Sequence, residues 1–493
     1  MRNSLAGPVD GLAANRAAVA GSSAAVALRG ALPLWIAALL LLATGCQTYS
    51  RQAEHMTGAW TAGNAARAAE AFAHRADKKA NSKDAVIWDL EAGTALRGAA
   101  KYADSNRYFD AAAARMEEYE RRAKVKLGRE AGAIFSNQQN LPYEGRSYDK
   151  IMLHTYEALN YLALGEVDQA RPELIRAYQR QQDAVAENQR RIEEARDAER
   201  DSGQGEAIAR TRADPGFDAA IHGLTQNLEG FKFYADYVNP FSVYVDGLYF
   251  LYAGEGPSDL ERATKSLRRV AEVAGNNPVV LADLRTAEAA VNGVPLTNAP
   301  LTYVIFETGR VASREQVRID IPIILADVSY VGAAFPQLAF HDDYARSLTV
   351  TAGHQQVATT LVANLDAVVA LDFKNELPAI ITKTLISTVA KAAAGWAVND
   401  AARQQDEGLG LLARIVTAAV QAAVNIADTR SWTTLPKEFQ VARVNTPPDR
   451  RVTVNTPGGA AYPVTLVDGR VNVVYVRSTS TGSPLLVSQF RLR

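Results

Sequence analysis

Cysteine is almost missing from this 493-residue chain: Cys46 is the only one, so no internal disulfide can form. The fold must therefore rest on its hydrophobic core. An excess of charge of one sign is also lacking, because 53 basic residues are matched by 54 acidic ones. Since no basic field is present to attract nucleic acid, we expect no nucleic-acid partner.

Recognisable motifs for metal binding and catalysis are missing as well. The six histidines are scattered, with no spacing typical of paired metal ligands. The chain has no Walker phosphate loop, no Gly-x-Ser-x-Gly elbow and no Gly-x-Gly-x-x-Gly loop after a strand. The sequence therefore predicts no catalytic residues, no metal site and no cofactor.

What the chain does have is a short apolar run from Leu34 to Ala43, followed by Thr44-Gly45-Cys46. The run is shorter than the roughly 20 residues that span a bilayer, but it fits the central part of an export signal. The small residues before Cys46 resemble a bacterial lipobox. This resemblance implies that residues 1–45 are a signal peptide and that Cys46 is lipidated. An ordinary secretory signal or an uncleaved anchor is the alternative.

The same resemblance bears on localisation. Several acyl chains on one residue hold a protein to a membrane where a single chain does not. Gln47 follows the cysteine, where an aspartate would favour the inner membrane in sorted bacterial lipoproteins. We therefore expect an outer-membrane lipoprotein that faces the periplasm and contacts the membrane through its N-terminal lipid.

The remaining chain, residues 46–493, is too long for one typical core, so we expect two or more domains. The small, alanine-rich residues 46–84 are predicted to be a lipidated tether. Residues 85–295 are predicted to form an α-helical repeat domain. Pro295, Asn298 and Pro300 mark a boundary, after which residues 300–493 are predicted to form an α+β domain. The predicted fold class is thus mainly α with an α+β C-terminal region.

The helical part contains a block that resembles a tetratricopeptide repeat, a helix hairpin of about 34 residues. A generic helical bundle is the alternative. The best copy has small and large residues in the packing positions of both helices and a glycine at the turn: Ala158, Tyr161, Gly165, Ala170, Leu174 and Ala177. Two weaker copies fill the same positions: Gly93, Leu96, Tyr102, Ser105, Phe109 and Ala112 upstream, and Gly247, Phe250, Gly254, Ala263, Leu267 and Val270 downstream. Between the copies, residues 179–200 are highly charged and predict a helix that extends into solvent.

The C-terminal part has strand patterns separated by turn signals. Residues 302–306 and 316–322 are predicted to form a hairpin. Further strands are expected at residues 439–444, 451–454, 462–476 with a turn at Asp468-Gly469, and 485–490, which together favour a small antiparallel sheet or sandwich. Two long helices, at residues 376–402 and 409–427, are expected to pack as an antiparallel pair on this sheet. Insertion of this pair into a membrane is the alternative.

Three phrases together resemble a family of uncharacterised bacterial lipoproteins with a tetratricopeptide-like N-terminal half. They are residues 156–162, Asn239-Pro240-Phe241 and residues 428–432, which read Asp-Thr-Arg-Ser-Trp. Members are similar to envelope accessory factors and tend to lie beside lipoprotein activators of penicillin-binding proteins. The resemblance implies a cell-wall setting and no particular activity.

These observations favour a non-catalytic scaffold or adaptor that binds a protein or peptide partner in the cell envelope. The register of the repeats predicts that Thr155, Leu159, Tyr244 and Leu248 line a concave partner-binding face. Two alternatives stay open. One is an envelope enzyme acting on glycan or peptide, in which His341-Asp342-Asp343 supplies a base and an orienting carboxylate. The other is an assembly component that inserts residues 376–427 into a membrane.

Overall fold

The computed structural model describes residues 49–125, 138–234, 238–321, 331–403 and 426–493. The chain divides into two compact units, Met1–Gln52 and Ala53–Arg493. The first unit contributes only residues 49–52 to the described part. The contacts reported below belong to the second unit.

Within the described ranges the chain forms twelve α-helices and eleven strands. The helices are α1 (Tyr49–Thr61), α2 (Ala65–Lys78), α3 (Ala85–Gly98), α4 (Tyr102–Val125), α5 (Ser147–Leu164), α6 (Val167–Asp201), α7 (Gly205–Arg212), α8 (Pro215–Gly223), α9 (Pro240–Tyr252), α10 (Gly256–Val273), α11 (Pro278–Val291) and α12 (Leu365–Arg403). The strands are β1 (Leu301–Thr308), β2 (Ser313–Ile321), β3 (Val331–Ala339), β4 (Thr349–Ala352), β5 (Gln355–Ala358), β6 (Thr360–Asn364), β7 (Glu438–Asn445), β8 (Arg451–Asn455), β9 (Tyr462–Thr465), β10 (Val471–Ser478) and β11 (Leu486–Arg491). The mainly α fold with a C-terminal β region agrees with the predicted fold class.

Residues 53–84, predicted as a tether, are instead part of the folded unit. Trp60 of α1 and Phe72 of α2 are fully buried. Alanines at helical spacing on either side of Phe72 give α2 a flat buried face that packs against α3. A run of alanine lets helix backbones approach closely, so the composition that resembles a spacer supplies a packing face here.

The helices after α2 are arranged largely in consecutive pairs, with α3 against α4, α5 against α6, and α9 against α10. The first helix of each pair is buried on nearly every side. Gly165 ends α5 in the left-handed conformation, at φ 78°, which glycine adopts without strain. A Cβ at Gly247 would lie 2.8 Å from Leu267 Cγ. The Leu267 side chain of α10 therefore packs directly against the backbone of α9.

The strands form a five-stranded sheet in the order β11-β10-β1-β7-β6, a four-stranded sheet in the order β5-β4-β8-β9, and the β2-β3 hairpin. The predicted hairpin of residues 302–306 with 316–322 is wrong, because β1 pairs with β7 and β10 whereas β2 pairs with β3. The predicted turn within residues 462–476 does not make a hairpin either, since β9 and β10 lie in different sheets. The large sheet is mixed, because β1 runs parallel to β10.

The two sheets and the helices form three layers. One face of the five-stranded sheet packs on the four-stranded sheet through a valine-rich core that includes Val304, Val350, Val444, Val454 and Val474. The other face meets the buried first helices of the pairs. Phe439 stacks on Phe241 of α9 with ring centroids 3.7 Å apart, and Arg97 of α3 lies 4.5 Å above the Tyr475 ring.

Because the central sheet is sandwiched in this way, strands β1 and β10 are buried along their whole length. The helical and β parts share one core, and residues 53–493 form a single compact unit. The predicted domain boundary at residues 295–300 is therefore a loop within that unit. Proline and asparagine there mark the end of α11, not a break in packing.

The segment Asp428 to Trp432 joins the two halves of this unit. Arg430 is 1% exposed and donates hydrogen bonds to Asp84 Oδ1 at 3.0 Å and to Leu141 O at 2.9 Å. The Trp432 indole N–H donates to Thr94 Oγ1 at 2.9 Å. The phrase that carries part of the family resemblance is thus an interior packing element.

The longest helices, α6 and α12, pack against each other. The charged second half of α6 does not project freely into solvent, because Ala184, Ala195 and Ala198 are buried. Of the predicted helix pair, α12 covers the first member, and residues 409–425 of the second lie outside the described residues. None of the helices in the described ranges is long and apolar enough to span a bilayer.

Candidate functional site

The four residues predicted to bind a partner are all interior. Thr155, Leu159, Tyr244 and Leu248 are between 0% and 3% exposed. Thr155 Oγ1 lies 2.8 Å from Ser242 Oγ, so it joins α5 to α9. This placement corrects the prediction of an open concave groove. Other elements of the same chain cover these residues, since Tyr244 OH also donates a hydrogen bond to Asp283 of α11, and a pattern of helix pairs cannot reveal this.

The His341-Asp342-Asp343 trio does not bring its groups together. Arg310 Nη2 donates to His341 Nδ1 at 3.1 Å, which leaves the Nε2 proton facing Ser313 Oγ at 3.1 Å. The Asp342 side chain is 81% exposed, and Asp343 accepts a hydrogen bond from a backbone N–H instead. Burial, together with the positive charges of Arg310 and Lys437, lowers the pKa of His341 to about 4. The ring is therefore a neutral, weak base with no carboxylate to orient it.

A large cleft lies elsewhere, between α11 and the sheet. Its volume is about 750 Å³, within the range that binding sites for small molecules occupy. We call it the α11 cleft and define it by its main walls. One wall is a single face of α11, formed by Val279, Ala282, Arg285, Thr286 and Ala289. The other wall is formed by β5, with Gln355, Val357 and Ala358, and by the end of β7, with Ala442, Arg443, Val444 and Asn445.

The floor of the α11 cleft is held in place by a buried carboxylate. Asp283 accepts hydrogen bonds from Tyr244 OH at 2.8 Å, Tyr303 OH at 2.6 Å and Arg443 Nη1 at 2.9 Å. Burial raises the pKa of Asp283 to about 6, although Arg443 and the two tyrosines oppose the shift. This network ties α11 to β1 and β7, so the walls of the cleft are fixed by buried polar bonds.

The lining of the cleft is apolar with a positive edge. Val294, next to α11, is 56% exposed. Among the described residues that line the cleft there are two arginines and no carboxylate. Arg443 is paired with Asp283, so the exposed Arg285 carries the available positive charge. The cleft therefore suits a ligand with apolar groups and a negative charge.

An exposed sheet edge borders the same cleft. Strand β5 is the end strand of the four-stranded sheet and, within the described part of the chain, pairs with β4 alone. Its residues are largely exposed. An edge strand presents backbone N–H and C=O groups that another strand can pair with. The site thus combines apolar walls, one free cation and a row of backbone hydrogen-bonding groups.

A second cluster could hold a metal ion. His154 and Glu157 of α5 meet Glu173 of α6, with candidate ligand atoms from all three within 4.8 Å of one another. The triad is not apparent along the sequence because Glu173 lies on a different helix from His154 and Glu157. The available signal was the His-x-x-Glu spacing, which places both side chains on one helix face, together with the turn at Gly165, which folds Glu173 back onto it.

The lipidation residue, Cys46, lies outside the described residues. Comparison of the chain with models of known protein families, with curated proteins and with solved structures finds no match.

Proposed function

We propose that this chain is a lipid-anchored scaffold of the bacterial cell envelope, and that it binds an extended segment of a partner protein in the α11 cleft. The observation that carries the proposal is the cleft itself, a 750 Å³ space with apolar walls, an exposed arginine and a sheet edge on one side. Such a combination is the usual design of sites that accept a peptide as an added strand. The anchor would be Cys46, on the outer membrane and facing the periplasm.

The chemistry of the cleft specifies the segment. Its backbone would pair with β5, its alternate side chains would enter the apolar space near Ala282 and Val357, and an acidic residue would pair with Arg285. An exposed ion pair of this kind contributes about 1 kcal/mol at most, close to a fivefold change in affinity. Apolar burial and backbone pairing would supply the rest. The helix pairs, which we propose to be tetratricopeptide-like, would act as the rigid support of the cleft.

The proposal can be tested with peptides and the purified chain. A fluorescent eight-residue peptide with apolar residues and one central glutamate should bind, and Arg285→Glu should weaken its binding about fivefold. Lys265→Glu on the exposed side of α10 makes the same change in charge outside the cleft and should have no effect. A peptide with proline at the centre should fail, because proline cannot donate to a strand ladder. Equal binding of all peptides to all variants would refute a cleft-based site.

The natural partner can be sought in intact cells. A photo-crosslinking amino acid at Thr286, inside the cleft, should form an adduct with an envelope protein, and one at Lys265 should not. Mass spectrometry should locate the adduct in a segment that contains an acidic residue. An adduct that survives Arg285→Glu and Ala282→Trp, the second of which fills the cleft, would place the binding elsewhere.

The anchor needs a separate experiment. The parent chain should incorporate labelled palmitate and fractionate with the outer membrane. Cys46→Ser should incorporate none and appear in the soluble periplasmic fraction. Membrane association that persists in the serine variant, with no label in the parent, would refute lipidation and leave the peptide-binding test unaffected.

A further inference from the structure

His154, Glu157 and Glu173 form an unusual group for the interior of a helical protein. They are 4%, 2% and 6% exposed. Both carboxylates face the same ring atom: His154 Nδ1 lies 3.0 Å from Glu157 Oε2 and 2.9 Å from Glu173 Oε2. One ring nitrogen carries at most one proton, so it cannot make a good hydrogen bond to two carboxylate oxygens at once. The three atoms therefore converge on one small volume.

The spacing of these atoms suits coordination of a metal ion. Donors that bind Zn²⁺ tetrahedrally at about 2.0–2.2 Å lie roughly 3.3–3.5 Å from each other. The two observed separations from Nδ1 are within about half an ångström of that value. Rotation of the side chains can supply this movement of about half an ångström. The helix backbones of α5 and α6 can stay in place.

The surroundings supply the further groups that a metal site requires. Arg176 forms an ion pair with Oε1 of Glu173, and this orients Glu173 while Oε2 stays directed at the histidine. Asp110 of α4 is close enough to Glu157 for a side-chain hydrogen bond. Asp110 is exposed, whereas the triad is buried. It therefore stands at the solvent side of the cluster, where a fourth ligand would enter.

We propose that His154, Glu157 and Glu173 bind one divalent transition-metal ion, with Asp110 or a water as the fourth ligand, and that the ion clamps α5 to α6. One imidazole nitrogen with carboxylate oxygens is a donor set for Zn²⁺, whereas Mg²⁺ and Ca²⁺ take oxygen donors almost exclusively. The two ligating carboxylates would balance the charge of the ion. A clamp of this kind would stabilise a chain that has no disulfide to hold its helices together.

The test uses the full chain without a histidine tag, purified in mild detergent and freed of metal with a chelator. Titration with Co²⁺ should produce the intense visible absorption of a four-coordinate site, with one ion bound per chain. Zn²⁺ should displace the Co²⁺ and raise the midpoint of thermal unfolding, while Mg²⁺ at the same concentration should do neither.

Two variants locate the site. Glu157→Gln should fold, because a buried amide replaces a carboxyl whose pKa is raised by burial, and it should weaken Co²⁺ binding at least tenfold. His154→Gln should do the same. His222→Gln is the matched control: His222 and Asp218 are also close, with 3.7 Å between Nε2 and Oδ2, but both side chains are largely exposed. Its metal binding should equal that of the parent.

The outcomes separate a metal site from an ion pair. Loss of Co²⁺ binding in both triad variants, with circular dichroism unchanged and the control unaffected, supports the proposal. A parent chain that binds no Co²⁺ or Zn²⁺ overturns it and identifies the triad as carboxylates that share a proton with the histidine. Binding that persists in Glu157→Gln and His154→Gln also overturns it, because the ion then lies elsewhere.

Discussion

The three-layer packing predicts that the helical and β parts unfold together, and Trp432 is the residue that tests it. Its side chain is 0% exposed and lies between Phe109 and Tyr156, with ring centroids 5.8 Å and 6.0 Å away. Trp432→Ala would remove these contacts and leave a cavity, at a cost of about 3–5 kcal/mol in the free energy of unfolding. Although Trp432 lies in the C-terminal half, the aromatic rings it contacts belong to the helices.

The measurement is urea unfolding of a soluble form that begins at Gln47, followed by circular dichroism and by fluorescence. We expect one transition in the parent, with both signals coincident. In Trp432→Ala the same single transition should move to lower urea. Tyr462→Ala is the control, because Tyr462 is 44% exposed and its removal should change stability by less than about 1 kcal/mol.

Independent domains would behave differently. If the helices kept their midpoint in Trp432→Ala while only the β part lost stability, two transitions would be resolved. That result would refute the single shared core and restore the boundary predicted at residues 295–300. A smaller loss in Trp432→Phe, which keeps an aromatic ring but removes the indole N–H, would assign the difference to the hydrogen bond with Thr94.

Four more substitutions follow from the geometry. Gly165→Ala should lower the free energy of unfolding by about 1–2 kcal/mol, because φ is 78° there and the space is otherwise open. Gly58→Ala, inside α1 and equally open, should raise it by about 0.5–1 kcal/mol, and equal effects of the two would contradict the backbone explanation. Gly247→Ala should cost about 1–3 kcal/mol in the same assay, since the new Cβ would lie 2.8 Å from Leu267 Cγ, and a neutral result would mean that α9 and α10 can separate freely. Asp283 has a folded-state pKa of about 6 against an ordinary value of 3.8, so the folded chain binds more protons than the unfolded chain between those pH values and loses stability as pH rises through them. Relative to the parent, Asp283→Asn should therefore gain about 2.5 kcal/mol between pH 4 and pH 8 in urea titrations, and parallel pH profiles would exclude this carboxyl as the cause.

Local features of the fold could be predicted because they depend on neighbouring residues. The turn at Gly165 follows from a glycine between two helical patterns, and the structure has the left-handed φ there that glycine favours. Strands β7, β8 and β11 lie within one residue of the predicted ranges at each end, since alternation and turn signals are also local. Gly247 and Leu267, two of the six positions assigned to the downstream repeat copy, lie in direct contact, although the pattern did not specify which of its positions touch.

Strand partners could not be predicted in the same way. The pairing of β1 with β10 joins residues about 170 positions apart. The sequence of neither strand indicates which other strand it pairs with. The predicted hairpin failed because it assumed that adjacent strands pair. Alanine-rich residues 53–84 failed as a tether for a related reason: alanine is compatible with a spacer and with close helix packing, and only the presence of α3 decides between them.

The sites depend on the same long-range arrangement. Helix register assigned Tyr244 and Thr155 to an open face of the helix pairs. Register gives the direction of a side chain on its helix, but it does not indicate which other element packs over it. Only the tertiary structure covers Thr155 and Tyr244 with other elements of the chain, forms the α11 cleft from α11 and β5, and brings Glu173 to His154. The amino-acid sequence by itself determined many of the helix and strand segments, such as β7, β8 and β11, because periodicity is a property of neighbours along the chain. The folded chain decided which surfaces are left exposed, because burial depends on every element that packs against them.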